Sequence, residues 1–62
     1  MKQILIVEDV SFLNKMLDYN LTADGYGVTS ALNARTAAEA IRQREFDLVL
    51  LCLLYTSDAA DE

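Results

Sequence analysis

The hydrophobic pattern of the chain predicts three strands. Residues 4–7 are a continuous aliphatic run that stops at two carboxylates, and residues 48–54 are a second uninterrupted apolar run. Runs that are apolar on both faces are typical of the central strands of a parallel sheet. Residues 26–32 have a weaker apolar pattern that predicts a shorter strand. We number these strands β1, β2 and β3 in chain order.

The segment between β1 and β2 has the spacing of an amphipathic helix, α1. Ser11 can cap its start. Asp24-Gly25 ends it, because Gly25 is free to take the left-handed conformation that follows many helices. The apolar stripe of this helix consists of Leu13, Met16, Leu17 and Leu21.

A second helical pattern, α2, precedes β3, and its small residues would let it sit close to a sheet. Asn33 can cap this helix, but Thr36 and Glu39 also have the spacing of a capping box, which would start it one turn later. The apolar positions with helical spacing are Ala34, Ala37, Ala38 and Ile41.

The order β1-α1-β2-α2-β3 makes each helix a crossover between parallel strands. Right-handed crossovers place the two most hydrophobic strands, β1 and β3, side by side. We therefore predict an α/β fold with strand order 2-1-3.

Composition and charge exclude several classes of protein. The 62 residues are 53% hydrophobic and include two Gly and no Pro, which excludes a disordered linker or a low-complexity tract. One Cys and no His exclude an internal disulfide and a Cys/His zinc cluster. A net charge of −5 disfavours direct binding of nucleic acid by this segment.

The apolar runs are also too short for membrane insertion. The longest uncharged apolar run, residues 48–55, is far below the ~20 residues that span a bilayer. The run at residues 4–7 is too short for the core of a signal peptide, and no basic patch would bind anionic lipid. We expect a cytoplasmic protein without a membrane partner.

Two adjacent carboxylates, Glu8 and Asp9, directly follow β1. Ligands of open parallel sheets bind beyond the carboxyl ends of the strands, and paired carboxylates there can hold a hard cation such as Mg²⁺. The alternative is that Asp9 caps α1 and Glu8 is solvated. Their position directly after a buried strand favours Glu8 and Asp9 as metal ligands.

Four segments of the chain stand together at the separations of a known family: residues 2–9 (KQILIVED), 24–28 (DGYGV), 31–41 (ALNARTAAEAI) and 46–51 (FDLVLL). Through these segments the chain resembles the receiver domain of two-component response regulators. The resemblance covers residues 2–51, and Ala34 stands where the family usually has Gly. It implies a partial doubly wound, flavodoxin-like sheet and places residues 1–51 in the N-terminal part of a receiver domain.

This resemblance implies a part in phosphorelay signal transduction. In that family a sensor histidine kinase or a phosphotransfer protein passes a phosphoryl group to an Asp at the end of the third strand, and Mg²⁺ held by the acidic pair assists. Glu8 and Asp9 match that pair, while the phosphoacceptor position is occupied by Cys52. A thiol is a soft ligand that suits Mg²⁺ poorly. We therefore expect no enzymatic activity, no phosphate acceptance and weak or absent Mg²⁺ binding.

Residues 52–62 depart from the family. They lack its apolar pair, Pro and Gly-containing loop, and they carry three acids and no base. They are also similar to the peptide encoded when sequencing-adapter DNA is translated at the end of a reading frame. We interpret residues 52–62 as a divergent tail of foreign origin.

Two other functions compete with this interpretation. The first is a phosphate-independent interaction module that docks a histidine kinase or a phosphotransfer protein through exposed residues of α1, with Asn14, Lys15 and Asp18 as candidates. The second is an unrelated Mg²⁺-dependent hydrolase, which is disfavoured because no further acid follows residues 48–51 at the right place. As part of a receiver domain, the chain lacks the strands that would flank β3. Residues 48–54 would then form an exposed apolar edge, so we expect the isolated chain to be marginally folded, molten or self-associated.

Overall fold

The computed structural model describes residues 1–52, which form a three-stranded parallel sheet and two helices. The strand order is β2-β1-β3, so the predicted α/β fold and the partial flavodoxin-like arrangement are confirmed. Neither helix of this part of the chain is long and apolar enough to cross a membrane. Residues 53 and 54 of the predicted third strand lie outside the described residues. The elements are β1 (Gln3–Val7), α1 (Ser11–Ala23), β2 (Gly27–Ala31), α2 (Ala34–Gln43) and β3 (Leu48–Leu51).

The central strand β1 forms the core of the sheet. Leu5, Ile6 and Val7 are fully buried, because β2 and β3 pair on either side of β1 and both helices contact this strand. Successive side chains of a strand point to opposite faces. Leu5 and Val7 pack with Ala37 of α2, and Ile4 lines a cavity with Leu21 of α1. One helix therefore covers each face, as the crossover argument predicts.

The first helix buries less of its apolar stripe than the sequence predicts. Leu13 and Met16 are exposed, Leu17 is half-buried, and the buried residue of α1 is Asn14. Ser11 does not cap the helix but is its first residue. The preceding Val10 is extended, and no side chain caps the helix there.

The ends of both helices follow local chemistry. Gly25 has φ +97°, the left-handed conformation predicted after α1. At the start of α2, Asn33 Oδ1 accepts a hydrogen bond from the N–H of Thr36 at 2.8 Å. That bond makes Asn33 the N-cap, so α2 begins at Ala34 and not one turn later.

The edge strand β3 keeps apolar side chains exposed on both faces of the sheet. Leu48, Val49 and Leu51 are all exposed, and within residues 1–52 this strand pairs with β1 alone. An uncharged apolar strand with an open edge is a template for pairing with another chain. The exposed edge that the sequence predicts is thus present in the structure.

We expect Val49→Lys to reduce self-association of the chain, because an edge lysine opposes strand pairing between copies. Sedimentation velocity over a range of concentrations should show the wild-type mass rising with concentration and the variant staying monomeric. Ala38→Lys places the same charge on an exposed position of α2 and should behave as wild type. A wild-type chain that stays monomeric at every concentration would contradict this expectation.

Candidate functional site

The carboxyl ends of the strands bring Glu8 and Cys52 to one edge of the sheet. The N–H of Glu8 donates a 3.0 Å hydrogen bond to the carbonyl oxygen of Ala31, the last residue of β2. The N–H of Cys52 donates a 2.8 Å hydrogen bond to the carbonyl oxygen of Val7, the last residue of β1. These two bonds extend the parallel ladders by one residue. The backbone of Glu8 thus lies between the ends of the two flanking strands.

The Glu8 side chain is buried, with 3% of its surface exposed. Its Oε2 accepts a 3.0 Å hydrogen bond from the N–H of Val10, the residue before α1. Among residues 1–52 its other oxygen has no hydrogen-bond partner, so that oxygen is available to a ligand at the edge. Asp9 is exposed. Asp9 does not cap α1 and Glu8 is not solvated, so the alternative interpretation of this pair is wrong.

The side chain of Asn14 also lies at the carboxyl ends of the strands, where the sequence did not predict it. Its side chain is 3% exposed. Its Nδ2 donates hydrogen bonds to the carbonyl oxygens of Glu8 at 3.1 Å and Ala31 at 3.0 Å. The sequence does hold a signal for this position, since residues 14, 17 and 21 have the spacing of one helix face. A polar side chain on the helix face that packs against a sheet is buried only when it has hydrogen-bond partners there.

The donor groups at the edge fit a loosely held Mg²⁺. Within residues 1–52 no three His, Cys, Asp or Glu side chains form a cluster that could hold a metal ion. Mg²⁺ keeps several of its waters and is often bound through only one or two carboxylates, which Glu8 and Asp9 can supply. Cys52 is half-buried and offers a thiol, a donor that this cation disfavours. The edge therefore suits a weak site and not a tight one.

The structure corrects the docking residues predicted on α1. Asn14 is buried, because its amide is drawn to the two carbonyl oxygens at the strand ends. Asp18 is half-buried, and its carboxylate accepts hydrogen bonds from the hydroxyl groups of Thr22 and Ser30 at 3.0 and 3.1 Å. Only Lys15 is fully exposed as predicted. The expectation of an exposed Asn14 was wrong.

The outward side of α1 is instead apolar. Phe12 is 68% exposed, Met16 45% and Tyr19 74%. Positions 12, 16 and 19 have i, i+4 and i+7 spacing, so these side chains form one stripe, which lies opposite the half-buried Leu17 and Leu21. Sequence reasoning missed this stripe because Met16 can be assigned to either face. The spacing from Phe12 to Tyr19 was the signal that could have revealed it.

The chain is similar to a curated bacterial protein. It is 32% identical over 50 residues to the uncharacterized transcriptional regulatory protein YcbL of Bacillus subtilis (strain 168). The aligned region covers 81% of this chain and 22% of that protein, so the chain spans about a fifth of its relative. No protein-family profile matches the chain, and no solved structure matches it. The chain is thus related to a segment of a transcriptional regulatory protein.

Proposed function

We propose that residues 1–51 are the N-terminal part of a response-regulator receiver domain of a phosphorelay, and that the chain accepts no phosphate itself. The observation that carries the proposal is the buried Glu8 at the end of the central strand, beside the residue that follows β3. A receiver requires an acidic pair and a phosphoacceptor at these two places. The similarity to a transcriptional regulatory protein supports the proposal, since receivers commonly control transcription factors.

The residue after β3 is the reason for proposing that the chain is inactive. Cys52 occupies the place where the phosphoacceptor carboxylate would stand, held there by its backbone bond to Val7. A thiol supplies neither a hard oxygen ligand for Mg²⁺ nor an oxygen nucleophile for a phosphoryl group. The chain would then act as a binding partner and not as an enzyme.

The partners that follow from this proposal are a sensor histidine kinase or a phosphotransfer protein in the cytoplasm. Glu8 and Asp9 are the residues that would hold Mg²⁺. When bound, this ion neutralises negative charge on a phosphoryl group. The contribution of the chain is to fix Glu8 at the strand end through its backbone bond to Ala31 and its side-chain bond to Val10.

The test is incubation of the 62-residue chain with Mg²⁺ and a phosphoryl donor, either acetyl phosphate or a sensor kinase. An intact receiver, as positive control, should gain a phosphoryl group detectable by mass spectrometry under non-acidic conditions. This chain should gain none. A phosphorylated Cys52 peptide would overturn the proposed inactivity.

Asp9→Asn is expected to abolish the weak Mg²⁺ binding of the chain, because it removes one of two carboxylates at the edge. Calorimetry should give a millimolar dissociation constant for the wild type and no measurable binding for the variant. Asp24→Asn removes an exposed carboxylate at the far end of α1 and should bind as wild type. A dissociation constant below the millimolar range for the wild type would contradict a two-carboxylate site. An equal loss of Mg²⁺ affinity in Asp9→Asn and Asp24→Asn would also contradict it.

The exposed stripe on α1 favours a second candidate function, a phosphate-independent docking module. Phe12, Met16 and Tyr19 form an apolar stripe with Lys15 beside it. A helix of a histidine kinase or phosphotransfer protein with apolar residues and a neighbouring acid would fit this surface. In that case the chain should compete with an intact regulator for its kinase. Absence of competition at any concentration of the chain would exclude this function.

A further inference from the structure

The buried amide of Asn14 connects three elements at the carboxyl edge of the sheet. Asn14 lies in the first half of α1 and donates from Nδ2 to the last carbonyl of β2, Ala31, and to the carbonyl of Glu8, which follows β1. Its own N–H donates to the carbonyl oxygen of Val10 at 2.9 Å. One side chain thus joins the start of the helix to the ends of two strands.

These bonds matter most for the peptide between Glu8 and Asp9. Ala31 O also accepts from the N–H of Glu8, so it keeps a partner if Asn14 is removed. The Glu8 carbonyl has only Asn14 as a partner among residues 1–52. A buried carbonyl without a partner is costly, so the peptide plane would rotate toward water. That rotation changes ψ of Glu8 and φ of Asp9, and we expect it to alter the placement of the two carboxylates relative to each other.

We propose that Asn14 is a positioning residue for the cation site, because its amide fixes the Glu8–Asp9 peptide and thereby the two carboxylates. This inference rests on the proposed Mg²⁺ site at Glu8 and Asp9. Residues that hold metal ligands in place without touching the ion typically change metal affinity by about 10–100-fold when they are replaced. Removing the Asn14 amide should therefore weaken Mg²⁺ binding by about tenfold or more.

The experiment compares Asn14→Leu with Leu17→Ala in the full chain, in a buffer with a stabilising osmolyte. Asn14→Leu keeps the size of the side chain and removes both donors. Leu17 is half-buried on the same helix face and makes no hydrogen bond to the strand ends through its side chain. Both variants should be less stable than wild type. Mg²⁺ titrations followed by NMR, scaled to the folded fraction, should show about tenfold or greater weakening in Asn14→Leu alone.

Equal Mg²⁺ affinity of the two variants would overturn the inference and leave Asn14 as a structural residue. If Asn14→Leu does not fold, Asn14→Ala should show the same weakening of Mg²⁺ binding. This second variant favours the helix, because alanine has the highest helix propensity. Asn14→Gln keeps an amide donor and should recover part of the lost affinity. A wild-type chain that binds no Mg²⁺ overturns the proposed site itself, and this failure is visible before any variant is compared.

A metal-free readout separates positioning from stability. The N–H of Val10 donates to the Glu8 carboxylate, so its hydrogen exchange reports on the placement of that carboxylate. Asn14→Leu should accelerate exchange at Val10 more than at the amides of β1. Leu17→Ala should accelerate exchange at Val10 and at the amides of β1 by a similar factor, because a global loss of stability affects both alike. Proportional acceleration in Asn14→Leu would count against a positioning role.

Discussion

Cys52→Asp is expected to tighten Mg²⁺ binding by at least about tenfold, because affinity for such cations rises with the number of charged oxygen ligands. The bond from Cys52 N–H to the Val7 carbonyl fixes residue 52 next to Glu8 at the edge of the sheet. A carboxylate at this place adds a third negative charge to the pair Glu8 and Asp9. Calorimetric titration of the wild-type and variant chains with Mg²⁺ measures the difference.

The same variant should make stability depend on Mg²⁺. Without the ion, three carboxylates at one edge repel each other, so Cys52→Asp should unfold at a lower temperature than wild type. Binding to the folded state then recovers stability as Mg²⁺ is added. Cys52→Ser, which adds no charge, is the control and should respond to Mg²⁺ as the wild type does. Equal responses of the Asp and Ser variants would refute the assignment of this edge as a cation site.

Leu5→Ala is expected to remove most of the stability of the fold. Leu5 is 0% exposed at the centre of β1, and truncating a buried Leu typically costs about 2–5 kcal/mol. Globular proteins have roughly 0.05–0.15 kcal/mol of stability per residue, and a chain of this length with an open apolar edge is expected at or below the low end of that range, roughly 3 kcal/mol. Much of the variant population should therefore be unfolded at room temperature.

Urea titrations followed by circular dichroism, repeated at several protein concentrations, measure this loss of stability. Leu51→Ala makes the same chemical change at a position that is 68% exposed. It should alter the free energy of unfolding by no more than about 0.5 kcal/mol, as surface substitutions usually do. Similar losses in the two variants would mean that the edge strand β3 is covered in solution, for example by a second copy of the chain.

The amino-acid sequence by itself determined the elements and their order. Two uninterrupted apolar runs indicate strands of a parallel sheet, and helical spacing between the strands makes each connection a right-handed crossover. These local and topological rules predicted β1, α2 and the order β2-β1-β3, which the structure confirms. Asn33 and Gly25 were predictable too, since a cap and a left-handed residue act on neighbouring backbone groups.

The sequence also identified the carboxylates that follow β1, but it did not predict their burial or their hydrogen-bond partners. Glu8 and Asp9 were predicted as a pair, yet Glu8 is buried and bonded to Val10 while Asp9 is exposed. The difference arises because the chain turns at Val10 into α1. A carboxylate in that turn can reach the free N–H before the helix.

The role of Asn14 was decided only by the tertiary structure. Its partner Ala31 is 17 residues away along the chain, and the carbonyl of its other partner, Glu8, has no other donor among residues 1–52. Neither fact is encoded in the pattern around α1, where Leu13 and Met16 suggested a different buried face. The sequence determined that α1 is amphipathic. The docking of that helix on the strand ends, where the Asn14 amide donates to the carbonyl oxygens of Glu8 and Ala31, determined which face is buried and left Phe12, Met16 and Tyr19 in solvent.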